Sequence, residues 1–275
     1  MLPPSISICI PTYEMGGKGL EFLKQGIESI RIQTFNNYEI IVSDNSKVDD
    51  IENYCNEVKK DLNLFYIRNL NKIGISSNLN FAIGHARGEI IKILFQDDFL
   101  YDNFALQNLY EAWRKANSKW LVSVSQHTKD GESYFLKIKP KYNPKIFLGT
   151  NTISSPSVLM VSRQDAPLFD ENLTWLMDCD YYKNCFSKFG YPGLCEQITI
   201  VNRVGLHQAS YSKVTRRMKL RELRYVMNKY KEDVSILDYF KASKHIFPNW
   251  FYKLKQILFN SRINCNVVSY DSKNK

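Results

Sequence analysis

Residues 89–98, EIIKILFQDD, decide how the chain is read. Ile90 to Phe95 is an almost unbroken aliphatic and aromatic run, the composition of a strand buried on both faces, and it leads directly into Asp97 and Asp98. Adjacent carboxylates repel and raise each other's pKa, so a core strand that ends in such a pair requires a cation or strong hydrogen-bond donors at its mouth. A strand buried on both faces belongs to a sheet with helices on either side.

Working back toward the N-terminus, SISICI (5–10) reads as another buried strand, closed by Pro11 and followed by the glycine-bearing loop PTYEMGGKG. Leu20, Leu23, Ile27 and Ile30 then recur at helical spacing. YEIIVSDNS (38–46) is a strand reaching Asp44, residues 48–60 suit a helix, and LNLFYIR (62–68) is a third strand. Ile75, Leu79, Ala82, Ile83 and Ala86 share one helical face just before EIIKILF. Strand and helix alternate over the first hundred residues, which predicts a mainly parallel α/β sheet whose ligands gather at the carboxyl ends of its strands.

Those ends carry Thr12 to Glu14, Asp44 with Asn45, Arg68 with Asn69, and Asp97 with Asp98. Any one cluster is ordinary turn or N-cap chemistry, but turn chemistry does not require charge at every carboxyl end. Beyond Asp98 the pattern loosens. Leu106, Leu109, Tyr110 and Trp113 suit a helix, KWLVSVSQ (119–126) a strand, and Asp130-Gly131 a turn before a further strand. NTISSPSVLMVSR (151–163) joins a serine-rich loop to a strand. A helix marked by Tyr182, Cys185, Phe186 and Phe189 begins beside Asp178 and Asp180, and EQITIVNRV (196–204) is a late strand.

Asp44 can accept from a base or ribose, Arg68 can face a phosphate or base, and the acidic pair suits a hard divalent cation; together they describe a nucleotide-diphosphate site. GGKG (16–19) lacks the spacing and the Ser/Thr of a phosphate-cradling loop, and no G-x-G-x-x-G follows the first strand, which argues against P-loop and NAD chemistry. The diphosphate is then neutralised mainly by Mn²⁺ or Mg²⁺ held at Asp97 and Asp98.

In this order and spacing the segments resemble glycosyltransferase family 2, inverting enzymes of the GT-A fold that use a nucleotide sugar. SICIPTYE is similar to the family's opening strand, with Glu14 where Asn is commoner. EIIVSDNS resembles its uracil-binding segment, and IRNLNKIGISSNLNFAIGHARGEIIKILFQDD its central stretch, including Asn80, Ala86 and Gly88. The resemblance covers roughly residues 5–210 and is strongest up to Asp98. It implies a nucleotide site at Pro11, Thr12, Tyr13, Glu14, Asp44, Arg68 and Asp97, with Asp98 on the metal. It also places a general base at Asp178 in TWLMDCDYYKNC, with Asp180 two residues on and an N-cap role as the structural alternative. His207 in RVGLHQAS is a further candidate near diphosphate or metal, and SSPS (154–157) resembles the acceptor-side loop. Two departures stand out: Leu79 replaces a common Arg, and the Asp-x-Asp motif lacks its first acid, with Phe95 or Gln96 there depending on the alignment.

Charge divides the chain. Its net charge is +9, yet residues 213–275 hold 15 Lys and Arg against 5 Asp and Glu, so the body is near neutral and the tail carries the excess. In the tail, Leu220, Leu223, Met227 and Tyr230 mark one amphipathic helix, and FPNWFYKLKQILF (247–259) places Trp250, Leu254, Ile257 and Leu258 on one face beside Phe251, Lys253 and Lys255. Such a tail suits either an anionic bilayer surface or packing on a protein body; no motif points to nucleic acid. No apolar run spans a bilayer, no signal segment opens the chain, and the six cysteines lack disulfide or zinc spacing. A cytoplasmic protein is expected, peripheral on the inner face of the plasma membrane where the tail binds a bilayer.

The sequence therefore predicts a nucleotide-sugar half (1–100) and an acceptor half (101–212) of one GT-A domain, followed by a basic helical extension (213–275). The expected function is a metal-dependent inverting hexosyltransferase, moving sugar from a UDP-linked donor to a hydroxyl of a bacterial surface glycan such as O-antigen or capsule, or of a lipid-linked glycan. The alternative is a non-catalytic nucleotide- or glycan-binding domain of the same fold.

Overall fold

The computed structural model describes residues 3–70, 74–206, 208 and 214–246. The chain divides into two compact units, Met1–Val214 and Thr215–Lys275. In the first, the expected alternation forms: β1 (Ile6–Thr12), α1 (Gly19–Arg31), β2 (Tyr38–Asp44), α2 (Asp50–Val58), β3 (Leu64–Arg68), α3 (Ile75–Gly84) and β4 (Ile90–Ile93). The strands pair in parallel in the order β3-β2-β1-β4. Every residue of β1 and β4 is buried, as strands covered on both faces must be. α1 turns Phe22, Leu23, Ile27 and Ile30 inward, each burial stabilising by about 1.5–3 kcal/mol.

Pro11 does not close the first strand. β1 continues through Pro11, opposite Ser43, to Thr12. β4 ends at Ile93, opposite Cys9, so the missing N–H of Pro11 falls where β1 has no neighbour on that side. At the opposite end Gly88 presses the α3–β4 turn onto β1. A Cβ there would stand 2.7 Å from the Ser7 nitrogen, and the Gly88 N–H donates to Ser7 Oγ at 2.8 Å.

The remaining elements of the unit are β5 (Phe99–Leu100), α4 (Ala105–Lys115), β6 (Trp120–Thr128), β7 (Tyr134–Ile138), β8 (Leu159–Ser162), α5 (Met177–Phe189) and β9 (Gly193–Arg203). They extend the same sheet. Antiparallel β8 joins β4 to β6, β9 runs parallel to β6, β5 returns antiparallel on β9, and β7 pairs with β6, giving nine strands among the described residues. Phe99 lies opposite Val201, which brings the end of β9 beside Asp97 and Asp98. α5 seals the sheet with Tyr181 and Tyr182, both fully buried; Tyr181 stacks on Phe169 at 3.9 Å and Tyr182 on Trp120 at 6.3 Å.

The second unit holds α6 (Arg216–Lys229) and α7 (Ile236–Ser243). Thr215 caps α6, accepting from the Met218 N–H at 3.2 Å, and Ser235 with Asp238 forms a capping box on α7. On α6, Leu223, Val226 and Met227 are buried, whereas Leu220 and Tyr230 of the expected stripe are partly exposed. On α7, Ile236, Leu237, Tyr239 and Phe240 are all more than half exposed. The FPNWFYKLKQILF segment lies outside the described residues.

Candidate active site at the carboxyl rim of the sheet

The parallel register sets Thr12, Asp44 and Arg68 side by side at the ends of β1, β2 and β3. Asp44 is fully buried and accepts from Thr12 Oγ1 at 3.0 Å, the Ser46 N–H at 2.9 Å and the Tyr66 hydroxyl at 2.9 Å. These donors hold the carboxylate in one orientation without neutralising it. Asn78 of α3 braces the rim from behind, donating to the Ser43 and Thr12 carbonyls at 2.8 and 3.2 Å. The Arg68 guanidinium lies 2.7 Å from Asp49 and 3.0 Å from Glu52, so a phosphate or base at the rim competes with two carboxylates for it.

Pro11 and Thr12 are buried in the strand, and Tyr13 and Glu14 open the loop that follows. Gln96 holds that loop: its Oε1 accepts from the Tyr13 N–H at 2.9 Å and its Nε2 donates to the Gly19 carbonyl at 2.7 Å. Gly19 has no room for a side chain, since a Cβ would stand 2.2 Å from the Tyr13 carbonyl oxygen. Glu14 ties the loop to the end of β2, accepting from the Lys47 N–H at 2.5 Å. Burial raises the Tyr13 phenol pKa, and Asp97 and Glu14 raise it further, an effect that requires these acids close by.

The acidic pair splits into two environments. Asp97 is half-buried, whereas Asp98 is 3% exposed and strongly hydrogen-bonded. One oxygen of Asp98 accepts from Ser155 Oγ at 2.9 Å and Asn202 Nδ2 at 2.8 Å, and the other from the Arg203 N–H at 3.0 Å. Burial nevertheless pushes its pKa up to about 7, with the neighbouring Asp97 adding to the effect. Behind it, in the middle of the sheet, Lys92 is fully buried, and its ammonium donates to the carbonyls of Ile93 and Ser157; burial pushes its pKa down to about 7. Among the described residues, no group of three or more His, Cys, Asp and Glu side chains could enclose a cation. An acidic pair short of a full cage suits a hard cation whose other ligands are phosphate oxygens and water.

Asp178 is the second residue of α5, one position inside the helix rather than at its N-cap, which is Leu176. One of its oxygens accepts the Cys179 N–H at 2.7 Å and the other accepts Asn151 Nδ2 at 2.6 Å. Burial of this partly covered carboxyl raises its pKa against the lowering by these donors. Asp180 turns the other way: it is fully buried and accepts from Asn184 Nδ2 at 3.1 Å. The loop that includes the serine-rich segment anticipated at 154–157 links Asp178, through Asn151, to Asp98. Ser154 Oγ lies 3.0 Å from Asn202 Oδ1, and Ser155 Oγ bonds Asp98. His207 lies outside the described residues.

Asn80, singled out by the resemblance, is a clamp rather than part of the rim. It donates to the Phe169 carbonyl at 2.9 Å and accepts the Phe169 N–H at 2.8 Å. Sequence reasoning missed Asn151, Asn202 and Arg203, which carry no local signal because their partners are distant in the chain. Lys92 did carry one: a cation inside an otherwise apolar strand.

Comparison with known proteins gives the family and the fold. The profile of "Glycosyl transferase family 2" matches residues 7–169. An uncharacterized glycosyltransferase of Rickettsia felis is 27% identical over 73% of this chain, which spans 33% of that relative's length. A Campylobacter jejuni GalNAc(5)-diNAcBac-PP-undecaprenol beta-1,3-glucosyltransferase is 34% identical over 42% of this chain and 35% of its own. Among solved structures, S. aureus TarS 1-349 in complex with UDP-GlcNAc superposes with a TM-score of 0.64 at 16% identity, over 88% of this chain and 71% of that one. The mannosyltransferase PcManGT of Pyrobaculum calidifontis, in complex with GDP-Man and Mn²⁺, gives 0.55 at 16% identity over 92% and 70%. With more than half of its length matched by the family profile and a GT-A fold shared with these structures, the chain belongs to glycosyl transferase family 2.

Proposed function

We propose that the protein is a metal-dependent inverting glycosyltransferase that moves a sugar from a UDP-linked donor to a hydroxyl of a bacterial surface glycan or lipid-linked glycan. The observation that carries this reading is the joining of two carboxylate centres, Asp98 with Asp97 and Asp178, by one hydrogen-bonded segment at the carboxyl rim of a family 2 sheet.

Each centre has its part. Asp44, held by Thr12, Ser46 and Tyr66, receives the uracil or ribose, and the loop from Tyr13 to Glu14 flanks it. Asp97 and Asp98 would hold Mn²⁺ or Mg²⁺, whose positive charge would offset that of the diphosphate leaving group. Burial, and after it the neighbouring Asp97, raises the Asp98 pKa, and a bound cation would offset both. Asp178 takes the proton of the acceptor hydroxyl as the new glycosidic bond forms. Its raised pKa strengthens it as a base.

A lipid-linked acceptor would bring the protein to a bilayer. The exposed apolar residues of α7, together with Lys241 and the basic composition of α6, support a peripheral membrane contact. No helix among the described residues is long and apolar enough to cross a membrane.

The test is a panel of nucleotide sugars assayed for thermal stabilisation and for donor turnover, with Mn²⁺ and with chelator. Metal-dependent stabilisation by UDP-sugars together with turnover is expected. Stabilisation without any donor turnover, even with candidate acceptors, would favour the non-catalytic alternative, and no response to any nucleotide sugar would refute both.

A further inference from the structure

We propose that Asn151 is the positioning residue of the general base: its amide fixes the Asp178 carboxylate, and the turn it closes ties that carboxylate to the donor side of the cleft. This inference rests on Asp178 being the base, as proposed above.

All the hydrogen-bonding capacity of the Asn151 amide is engaged. Nδ2 donates to Asp178 Oδ2 at 2.6 Å and to the Ser154 carbonyl at 2.8 Å, while Oδ1 accepts the Ile153 and Ser154 N–H groups at 2.9 and 3.2 Å. The amide cannot flip without setting donors against donors, so the hydrogen it presents to Asp178 is fixed. The turn itself is strained, because Ser154 has a φ of 144°, a region that favours glycine. It is held there from several sides. Ser154 Oγ meets Ser125 Oγ at 3.1 Å and Asn202 Oδ1 at 3.0 Å, and the Ser154 carbonyl also accepts the Tyr182 hydroxyl at 3.1 Å.

The chain of contacts then continues from Asn202 Nδ2 to Asp98 Oδ2 at 2.8 Å. Asp178, Asn151, Ser154, Asn202 and Asp98 thus form one connected set, with the base at one end and the donor-side acid at the other. A base acts only within hydrogen-bond reach of the hydroxyl it deprotonates, and a displacement of about 1 Å costs on the order of a hundredfold in rate. Asn151 touches neither of the reacting partners in this scheme. It works by holding the group that does.

The experiment compares wild type, Asp178→Asn, Asn151→Ala and Asn151→Ser in the full chain, with the donor identified by the nucleotide-sugar panel. Serine at 151 keeps a hydroxyl oxygen to accept within the turn but is too short to offer Asp178 the same donor. Both Asn151 variants are expected to lose roughly 10- to 100-fold in kcat, with KM for the donor within about twofold of wild type. The acid limb of the kcat–pH profile is expected to move up by about one unit, since a donor to the ionised carboxylate has gone. An Asp178→Asn variant as active as wild type would overturn the base assignment itself. If Asp178→Asn is inactive while both Asn151 variants keep wild-type kcat and an unmoved acid limb, only the positioning role falls. Loss of the fold in both Asn151 variants would also overturn it, making Asn151 a structural residue.

Discussion

Gln96 occupies a position, beside the acidic pair, where the family resemblance offers an acid, and replacing it by glutamate is the most informative single change at the rim. Gln96 is 3% exposed and uses both ends of its amide, accepting from the Tyr13 N–H and donating to the Gly19 carbonyl. An ionised glutamate keeps the first bond and turns an oxygen on the Gly19 carbonyl in place of the second. Losing that buried bond and setting a carboxylate oxygen against the Gly19 carbonyl costs about 1–3 kcal/mol, and a third negative charge beside Asp97 and Asp98 adds to it. A total of about 3 kcal/mol corresponds to a folded-state pKa roughly two units above the ordinary glutamate value of about 4.3. A protonated glutamate instead donates to Gly19 as the amide does. Because the folded pKa is raised, the variant's stability is fully present below the unfolded value and is lost as pH rises through the folded one. Urea unfolding of Gln96→Glu and wild type, compared at each pH, is expected to differ little near pH 4.5 and by about 3 kcal/mol at pH 8. A deficit of the same size at both pH values, or none at pH 8, would refute the reasoning.

Other outcomes follow from the same contacts. Asp178→Asn is expected to lower turnover by about 10²- to 10⁴-fold with UDP-sugar affinity near wild type, read by UDP release and calorimetry; turnover within tenfold of wild type would remove Asp178 as the base. Asp97→Asn is expected to weaken UDP binding in Mn²⁺ while leaving metal-free binding and melting temperature nearly unchanged; equal affinity with metal present counts against the pair as a cation site. Replacing Ile236, Tyr239 and Phe240 by serine on the exposed face of α7 is expected to reduce co-sedimentation with anionic vesicles; unaltered vesicle binding would reject that face as the contact.

Much of the first hundred residues was legible because each strand and helix there declares itself locally. The apolar run of Ile90 to Phe95 and the helical spacing of Leu23, Ile27 and Ile30 need no distant partner to be read. The rim was legible for the same reason, since parallel strands put their carboxyl ends together and Thr12, Asp44 and Arg68 then fall in register. What stayed hidden is what the second half contributes. Nothing near Asn202 or Arg203 indicates that they reach Asp98 across more than a hundred residues, because β9 pairs with β5 by tertiary context. Arg68 illustrates a different limit. Its place at the rim was readable, but its capture by Asp49 and Glu52 depends on side-chain reach that spacing does not encode.

The long span between Asp98 and Arg203 bears on how the protein comes into being. During synthesis the first hundred residues emerge with their strands and helices locally specified, yet the donors that hold Asp98 have not been made. Until β9 is translated and β5 has docked on it, Asp98 lacks the Arg203 N–H and the Asn202 amide. Contacts of such high sequence separation form late and slowly. A folded parallel half with an unfinished acidic rim is the expected nascent stage, and metal-assisted nucleotide binding is expected to arise only after β9 has left the ribosome.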